Sequence, residues 1–396
     1  MMQSNQSTEV ITTTMYKLMN KDTAVMTFAI SRTEFGDISF SEISSNKEQL
    51  PIGFENIERW VEKRRAPKHR AHIQELLQKC GCDTLEGFLN VSHALSLNDT
   101  FWVKKESENL KWEQVSLYKN PFDEIVARLA FEGGMYGEQL SSTSPEYTGS
   151  GARAKCWVRE DDGIYLYKRG SWEYRNSGKE PYCEAYASQI APHICKHYTQ
   201  YELCKYRDKL ATKCRLFTSE KYGFLSIDLA AKGIYKIGGF MKFMSEHNAE
   251  DDFRRMVVFD SLVLNTDRHR NNYGMMVDND TLEVLGMAPM FDYDQCLLPY
   301  ADDADLNMKK REAYLASRPC RIGMDSDFNL LANAMLTPAI RADLINLKGF
   351  RFETGKYDFE PKRLRALEEI INKQIDNVLQ RKAFYLSAEA RKEVIP

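Results

Sequence analysis

The stretch LNTDRHRNNYG, residues 264–274, decides how this chain is read. It crowds an aspartate, a histidine, two arginines and several asparagines into a few positions. Such residues often form no more than a solvated turn. The flanking segments argue for something else. EDDFRRMVVFDSLVL, starting at Glu250, predicts a helix that delivers the stretch. NYGMMVDNDTLEVLGMAPMFDYD predicts a hairpin that leaves it, turning at Asn279-Asp280. In a kinase catalytic loop an aspartate accepts the proton of the attacking hydroxyl, and an asparagine further on binds metal. Asp267 and Asn272, five residues apart, have that spacing. Asp267 is therefore the candidate catalytic residue, and Asn272 a candidate metal ligand.

Phosphoryl transfer needs three further kinds of group. Asp292 follows an apolar strand in APMFDYDQ, and a carboxylate there suits Mg²⁺, which takes hard oxygen ligands. Asp294 is a weaker candidate, for ordering the turn or the outer metal shell. Lys168 closes the strand GIYLYKRG, where an ammonium can reach phosphates as a point charge. A glutamate on the next helix fixes such a lysine. Glu184, in EPYCEAYASQIAPHICKHY, is the candidate, with Glu180 as the alternative outside the helix, before Pro181. The glycines of GSGARAK, residues 149–155, let backbone amides approach phosphates. Gly149, Ser150, Gly151, Ala152 and Lys155 form the candidate nucleotide loop, and Glu220 joins Lys168 and Glu184 in the cofactor-binding set. Each signal alone is modest, and their order along one chain carries the weight.

Composition bounds the alternatives. The 396 residues, 43% hydrophobic and 28% charged, suit a globular protein of two or three packed regions. With 54 basic against 57 acidic residues, the net charge of −3 provides no bulk attraction for nucleic acid. The polar N-terminus lacks the pattern of a signal peptide, no apolar run is long enough to span a bilayer, and the cysteines are scattered. The expectation is a cytoplasmic protein with reduced thiols and no membrane contact. The densest basic cluster, Lys63, Arg64, Arg65, Lys68, His69 and Arg70, reads as a solvated corner between two helices.

The predicted elements begin with two strands in MYKLMNKDTAVMTFAI and two helices in FENIERWVEKRRAPKHRAHIQELLQKCG. GSGARAKCWVREDDGIYLYKRGS then predicts consecutive antiparallel strands turning at 161–163. The expected class is α+β. A small β-rich lobe precedes a mainly helical lobe in a protein-kinase-like arrangement, with an extra α+β region in front. The boundaries are drawn as 1–115 for the accessory region, 116–220 for the first lobe and 221–396 for the second.

GARAKCWV, YLYKRG, NTDRHRNNYG and APMFDYDQ resemble, in order, the sequence blocks of the HipA toxin-kinase family. The Asn-Thr-Asp-x-His-x-x-Asn run is the most specific of them. The resemblance covers residues 135–300 well, the helical tail only in character, and residues 1–115 poorly. It implies a two-lobed serine/threonine protein kinase using ATP and Mg²⁺. Asp267 would be its catalytic aspartate, Asn272 and Asp292 its metal ligands, Lys168 its phosphate-holding lysine and residues 149–155 its nucleotide loop. His269 would brace the catalytic loop. The resemblance also implies that phosphate on Ser150 could silence the nucleotide loop. Implied partners are a protein substrate and a small helix-turn-helix antitoxin, the latter being the expected route to DNA. Alternatives with the same chemistry are a lipid or small-molecule phosphotransferase. A nucleotide-binding pseudokinase is the alternative without catalysis.

Overall fold

Val10–Asn20 (β1) and Thr23–Thr33 (β2) pair antiparallel across the Asn-Lys-Asp turn, where Lys21 takes a φ of 48°. The computed structural model describes residues 10–134, 143–148, 151–172, 177–302, 306 and 327–383. Ile38–Ser45 (β3) and Phe101–Lys105 (β4) complete a four-stranded sheet in the order β3-β2-β1-β4. Alternate residues on one face, among them Tyr16, Leu18, Phe28 and Ile30, are buried, as the two-residue period of a strand requires. They pack with apolar residues of Ile57–Arg64 (α1), Ile73–Lys79 (α2), Leu85–Ser92 (α3) and Glu124–Glu132 (α5). The short helix Trp112–Val115 (α4) precedes α5. Side chains start three of these helices: Asn56 caps α1, Thr84 caps α3 and Asp123 caps α5. Cys80 and Cys82 lie in this core.

The chain divides into two compact units. The first comprises Met1–Arg159, Thr218–Gly223 and Asp278–Glu283. It therefore runs through the boundary drawn at 115 and ends within Lys155–Glu160 (β5). The two inserted segments are tied in by polar contacts: Asn20 Nδ2 donates to Asn279 O at 2.8 Å, and Trp112 Nε1 donates to Glu220 Oε1 at 2.6 Å.

The solvated reading of the basic cluster fits Lys63, Lys68 and His69, which are exposed at the corner between α1 and α2, and is corrected for its arginines, which staple this unit internally. Arg64 grips both oxygens of Asp99, at 2.7 and 3.0 Å, and also the carbonyls of Ala94 and Phe101. Arg65 donates to the carbonyls of Cys82 and Asp83. Arg70 is buried against Glu146. An arginine has five donors in a fixed fork, so it can satisfy several carbonyls that a lysine could not.

The second unit holds Glu160–Phe217, Phe224–Val277 and Val284–Pro396. Gly163–Arg169 (β6), Glu202–Tyr206 (β7) and Lys209–Arg215 (β8) pair antiparallel in the order β6-β8-β7. Glu180–Ile194 (α6) is buried nearly all round, as befits a central helix. Glu180, expected outside this helix, is its first residue, because proline is tolerated in a helix's first turn. Tyr222–Ser226 (β9), Gly274–Asp278 (β10) and Val284–Met287 (β11) form a small sheet in the order β11-β10-β9. The remaining helices are Ile227–Ala230 (α7), Ile237–Glu246 (α8), Glu250–Val263 (α9), Phe328–Ala334 (α10), Pro338–Asn346 (α11) and Pro361–Leu379 (α12). Helix α9 packs between α6, α10 and α12. Its first turn carries Glu250, Asp251 and Asp252, where acids meet the positive end of the helix dipole. The α+β class read from the sequence is the class observed.

Candidate active site

Helix α9 ends at Val263, and Leu264 after it takes a left-handed φ of 55° and turns the chain into the loop. Its last turns are apolar apart from Ser261 and Asp260, and Asp260 is fully buried. Arg268, also 0% exposed, answers it with two bonds, Nε to Oδ2 at 2.9 Å and Nη2 to Oδ1 at 3.1 Å. Asn265 Nδ2 donates to the same carboxylate at 2.8 Å, and Asn265 Oδ1 accepts the amide of Asp267 at 3.0 Å. The loop then closes on itself. Asp267 O accepts His269 N–H at 2.8 Å and Asn272 Nδ2 at 3.0 Å. With its nitrogen committed in this way, the Asn272 amide presents its oxygen on the other side, the end that a hard cation takes. The imidazole of His269 accepts the Asn271 amide at 3.2 Å, a local brace. Gly274 ends the stretch because β10 passes so close to β9 that a Cβ there would sit 2.1 Å from Leu225 O.

Arg268 also joins this loop to the other acidic segment. Its Nη1 donates to Asn272 O and to Phe291 O, both at 2.7 Å. One guanidinium nitrogen thus holds the backbone of Asn272 and of the residue before Asp292. Asp292 itself has a φ of 64°, uncommon outside glycine, asparagine and aspartate. Its amide donates to the buried Tyr201 hydroxyl at 3.1 Å. Met290 is tied to the segment before Tyr201 by its amide to His197 O and its carbonyl from Thr199 N–H.

Lys168 sits on β6 directly across from Thr212 of β8. Its ammonium donates to Glu184 Oε1 and to Asp292 Oδ1, each at 2.6 Å, with Asp294 Oδ2 at 3.8 Å. Thr212 holds the other oxygen of Glu184 at 2.6 Å. Glu180 does not serve this lysine, because its carboxylate accepts from Ser171, the Gly178 amide and, at 3.2 Å, Tyr300. One ammonium therefore faces three carboxylates. Burial works against the charge on Lys168, but Asp292, Glu184 and Asp294 outweigh it and hold the lysine well above its ordinary pKa. Burial pushes Glu184 up to about 6; Lys168 opposes this, and Asp294 and Asp292 add to it. The surplus of negative charge is the feature a divalent cation would neutralise. Among the described residues no group of three or more His, Cys, Asp or Glu side chains could hold a metal unaided.

The structure thus brings Lys168, Glu184, Asp292 and Asp294 into one cluster and links it through Arg268 to Asp267 and Asn272. The other candidates belong to the first unit. Gly149 and Ser150 lie outside the described residues. Gly151 has a φ of 84° and lies under the side chain of Lys155, whose Nζ a Cβ would meet at 2.6 Å. Ala152 O accepts Ala71 N–H at 3.0 Å. The Glu220 carboxylate accepts from Trp112 and Ser116 and lies 3.8 Å from Lys119.

Sequence reasoning left Arg268 and Arg270 without roles and missed Asp260, Tyr201 and Thr212. One signal was present: Asp260 is a lone acid inside the apolar run MVVFDSLVL. Arg270 donates to Asp228 and to the carbonyls of Ile227, Ala231 and Ile234, closing the end of α7. Neither arginine is presented as a basic surface of the kind a lipid headgroup would need.

No protein-family model matches the chain. The serine/threonine-protein kinase CtkA of Helicobacter pylori strain J99 is 32% identical over 114 residues. That match spans 25% of this chain and 34% of the relative's length. A crystal structure of a Helicobacter pylori proinflammatory kinase CtkA aligns with a TM-score of 0.41 at 19% identity, covering 62% of this chain and 92% of that one. HipA of Shewanella oneidensis MR-1, solved with HipB and its operator DNA, aligns over 95% of this chain and 99% of its own, with a TM-score of 0.50 at 11% identity. The fold is HipA-like. At that identity the likeness is one of fold, and the chain resembles the HipA-like serine/threonine kinases. Among the described residues no helix is long and apolar enough to cross a membrane.

Proposed function

We propose that this chain is an ATP- and Mg²⁺-dependent serine/threonine protein kinase of the HipA-like type. The observation that carries the reading is Lys168 held at 2.6 Å between Glu184 and Asp292. When bound, ATP supplies the phosphoryl group and Mg²⁺ neutralises its charge. Asp292 and Asn272 would hold the metal, and Lys168 the phosphates, with Glu184 and Thr212 fixing the lysine. Asp267 would orient the substrate hydroxyl and accept its proton. The glycine-rich run of the first unit would offer backbone amides to the nucleotide. A protein substrate and a small DNA-binding partner belong to the same proposal, by analogy with the HipA captured with HipB and operator DNA.

The test is transfer of labelled phosphate from ATP to a serine or threonine, on the chain itself or on a protein in a cell extract. Transfer should require Mg²⁺ and fall at least ~100-fold in Asp292→Asn, because a metal ligand and the partner of Lys168 are lost together. Tight ATP binding without transfer to any protein would defeat the kinase reading.

Acid should switch the activity off. Protonating Glu184 removes one of the two close anchors of Lys168, so kcat/KM, which reports the free enzyme, should fall as pH drops through about 6. The effect on stability has the opposite sign. A carboxyl raised by folding stabilises the native state when protonated, and that contribution is lost as pH rises through about 6. A rate profile flat down to about pH 5 would rule Glu184 out of this role.

A further inference from the structure

One face of α6 brings Glu184 to Lys168, and the opposite face carries side chains for which the site above has no use. Tyr182, Tyr186, Gln189 and His193 follow one another at spacings of four, three and four residues, the stripe of a single helix face. Glu184 stands two residues from each tyrosine, which at 3.6 residues per turn is roughly 200° round the helix. A strap formed by residues 350–359 runs along the stripe. Tyr182 stacks on Phe359 with ring centres 4.6 Å apart, and Tyr186 stacks on the same ring at 5.6 Å. Tyr186 also meets Phe352 at 4.9 Å, and His193 meets Phe350 edge-on at 5.9 Å. Polar bonds accompany the rings. Tyr186 donates its hydroxyl to Asp358 Oδ1 at 2.6 Å. Gln189 pairs with both backbone groups of Glu353, its Nε2 donating to O at 3.0 Å and its Oε1 accepting N–H at 2.9 Å.

Helix α12 holds the strap in turn. Glu368 accepts the Phe352 amide at 3.1 Å, while Asn372 accepts the Gly349 amide at 2.6 Å and donates to Phe350 O at 3.1 Å. The strap thus ties α6 to α12. The start of α12 reaches the other acidic element, because Arg363 donates to Leu298 O at 2.8 Å and to Ala301 O at 2.9 Å, on the segment that follows Asp292 and Asp294. Residues 350–363 therefore fasten both elements whose carboxylates face Lys168. Apolar packing is non-directional, so the rings alone would hold the strap down without fixing where α6 lies along it. The bonds from Tyr186 and Gln189 fix that position. The tolerance is small: Lys168 bonds Glu184 at 2.6 Å, and such a bond is lost once the atoms stand more than ~3.5 Å apart. We propose that Tyr186, Gln189 and Asp358 are positioning residues, which set the place of α6 through the strap and so keep Glu184 on Lys168. This rests on the reading of Lys168 as the phosphate-holding lysine of a kinase.

The test uses the full chain and two readouts. Modification of Lys168 by an amine-reactive reagent, followed by mass spectrometry, reports whether Glu184 still covers the ammonium and needs no activity. The kcat/KM for ATP in phosphoryl transfer reports whether the lysine still works. Tyr186→Phe/Gln189→Ala removes the directional bonds and keeps the rings. Modification should become about fivefold faster and kcat/KM about fivefold lower, the scale of a few lost hydrogen bonds, one of them to a charged group. Ile375→Val, a core change on α12 outside the strap, should alter neither. In a Glu184→Gln background the Tyr186/Gln189 pair of changes should lower kcat/KM no further, because residues that act through one contact are not additive with its loss. Should the double variant fail to fold, Tyr186→Phe alone decides, with modification about threefold faster. Unchanged modification of Lys168 in a folded variant overturns the proposal, as does a full further fall in the Glu184→Gln background. Wild type that transfers no phosphate defeats the kinase reading alone, and the modification rates then decide.

Discussion

Asp267→Asn is expected to lower the rate of phosphoryl transfer by ~10³-fold, with ATP affinity and melting temperature close to wild type. A positioned general base contributes roughly 10² to 10⁴ in rate, and an amide cannot take the proton. The clean separation from stability follows from how the loop is built. The bonds from Asn265, His269 and Asn272 engage the amide and carbonyl of Asp267, not its carboxylate. Exchanging the side chain for its isostere leaves that backbone frame standing. Single-turnover transfer of labelled phosphate, with ATP binding measured separately, checks the expectation. A variant with wild-type turnover would remove Asp267 from the chemistry and with it the proposed mechanism.

Arg268→Met should have the largest effect on the fold, and it should also damage the metal site. Removing one partner of a buried ion pair typically costs about 3–5 kcal/mol, because the other charge is left uncompensated. Asp260 would keep its bond from Asn265 but lose both bonds from the guanidinium. A cost of that size lowers the melting temperature by roughly 10 °C for a unit this large. The carbonyls of Asn272 and Phe291 would also lose their shared donor, freeing the segments that carry Asn272 and Asp292. The Mg²⁺ concentration for half-maximal activity should therefore rise about tenfold, the scale on which disturbed outer-shell partners weaken metal sites. Arg268→Met/Asp260→Leu separates the two roles. An apolar pair should restore the melting temperature while the Mg²⁺ requirement stays high. Arg268→Met with unchanged melting and unchanged Mg²⁺ dependence would show that the clasp does neither. Lysine is not expected to rescue, because a point charge cannot serve two carboxylate oxygens and two carbonyls at once.

Some of this was legible in one dimension and some was not. Lys168 and Glu184 could be picked out because the strand end and the following helix each announce themselves by pattern, and the structure pairs them at 2.6 Å. Glu180 was misplaced outside the helix because a proline follows it, although a helix accepts proline in its first turn. The basic cluster at Lys63–Arg70 looked solvated because a run of charges carries no record of the carbonyls that will later surround it. Arg64, Arg65 and Arg70 find theirs on segments distant in sequence. Arg268 escaped notice for the same reason, as two of its three partners are the carbonyls of Asn272 and Phe291, and a carbonyl looks alike at every residue.

By itself the sequence determined the class of fold and the chemical vocabulary of LNTDRHRNNYG. Both depend on local periodicity and on residue type at short spacing, and those survive in a linear string. Only the tertiary structure decided how the vocabulary is arranged. It set one ammonium among three carboxylates drawn from α6 and from the segment after β11. It made Arg268 the clasp between the two acidic segments, and Arg70 a staple between Glu146 and the backbone of Lys155. These arrangements depend on burial and on backbone groups brought together from far along the chain. Burial sets the cost of every unpaired charge, and the sequence does not say which charges will be buried.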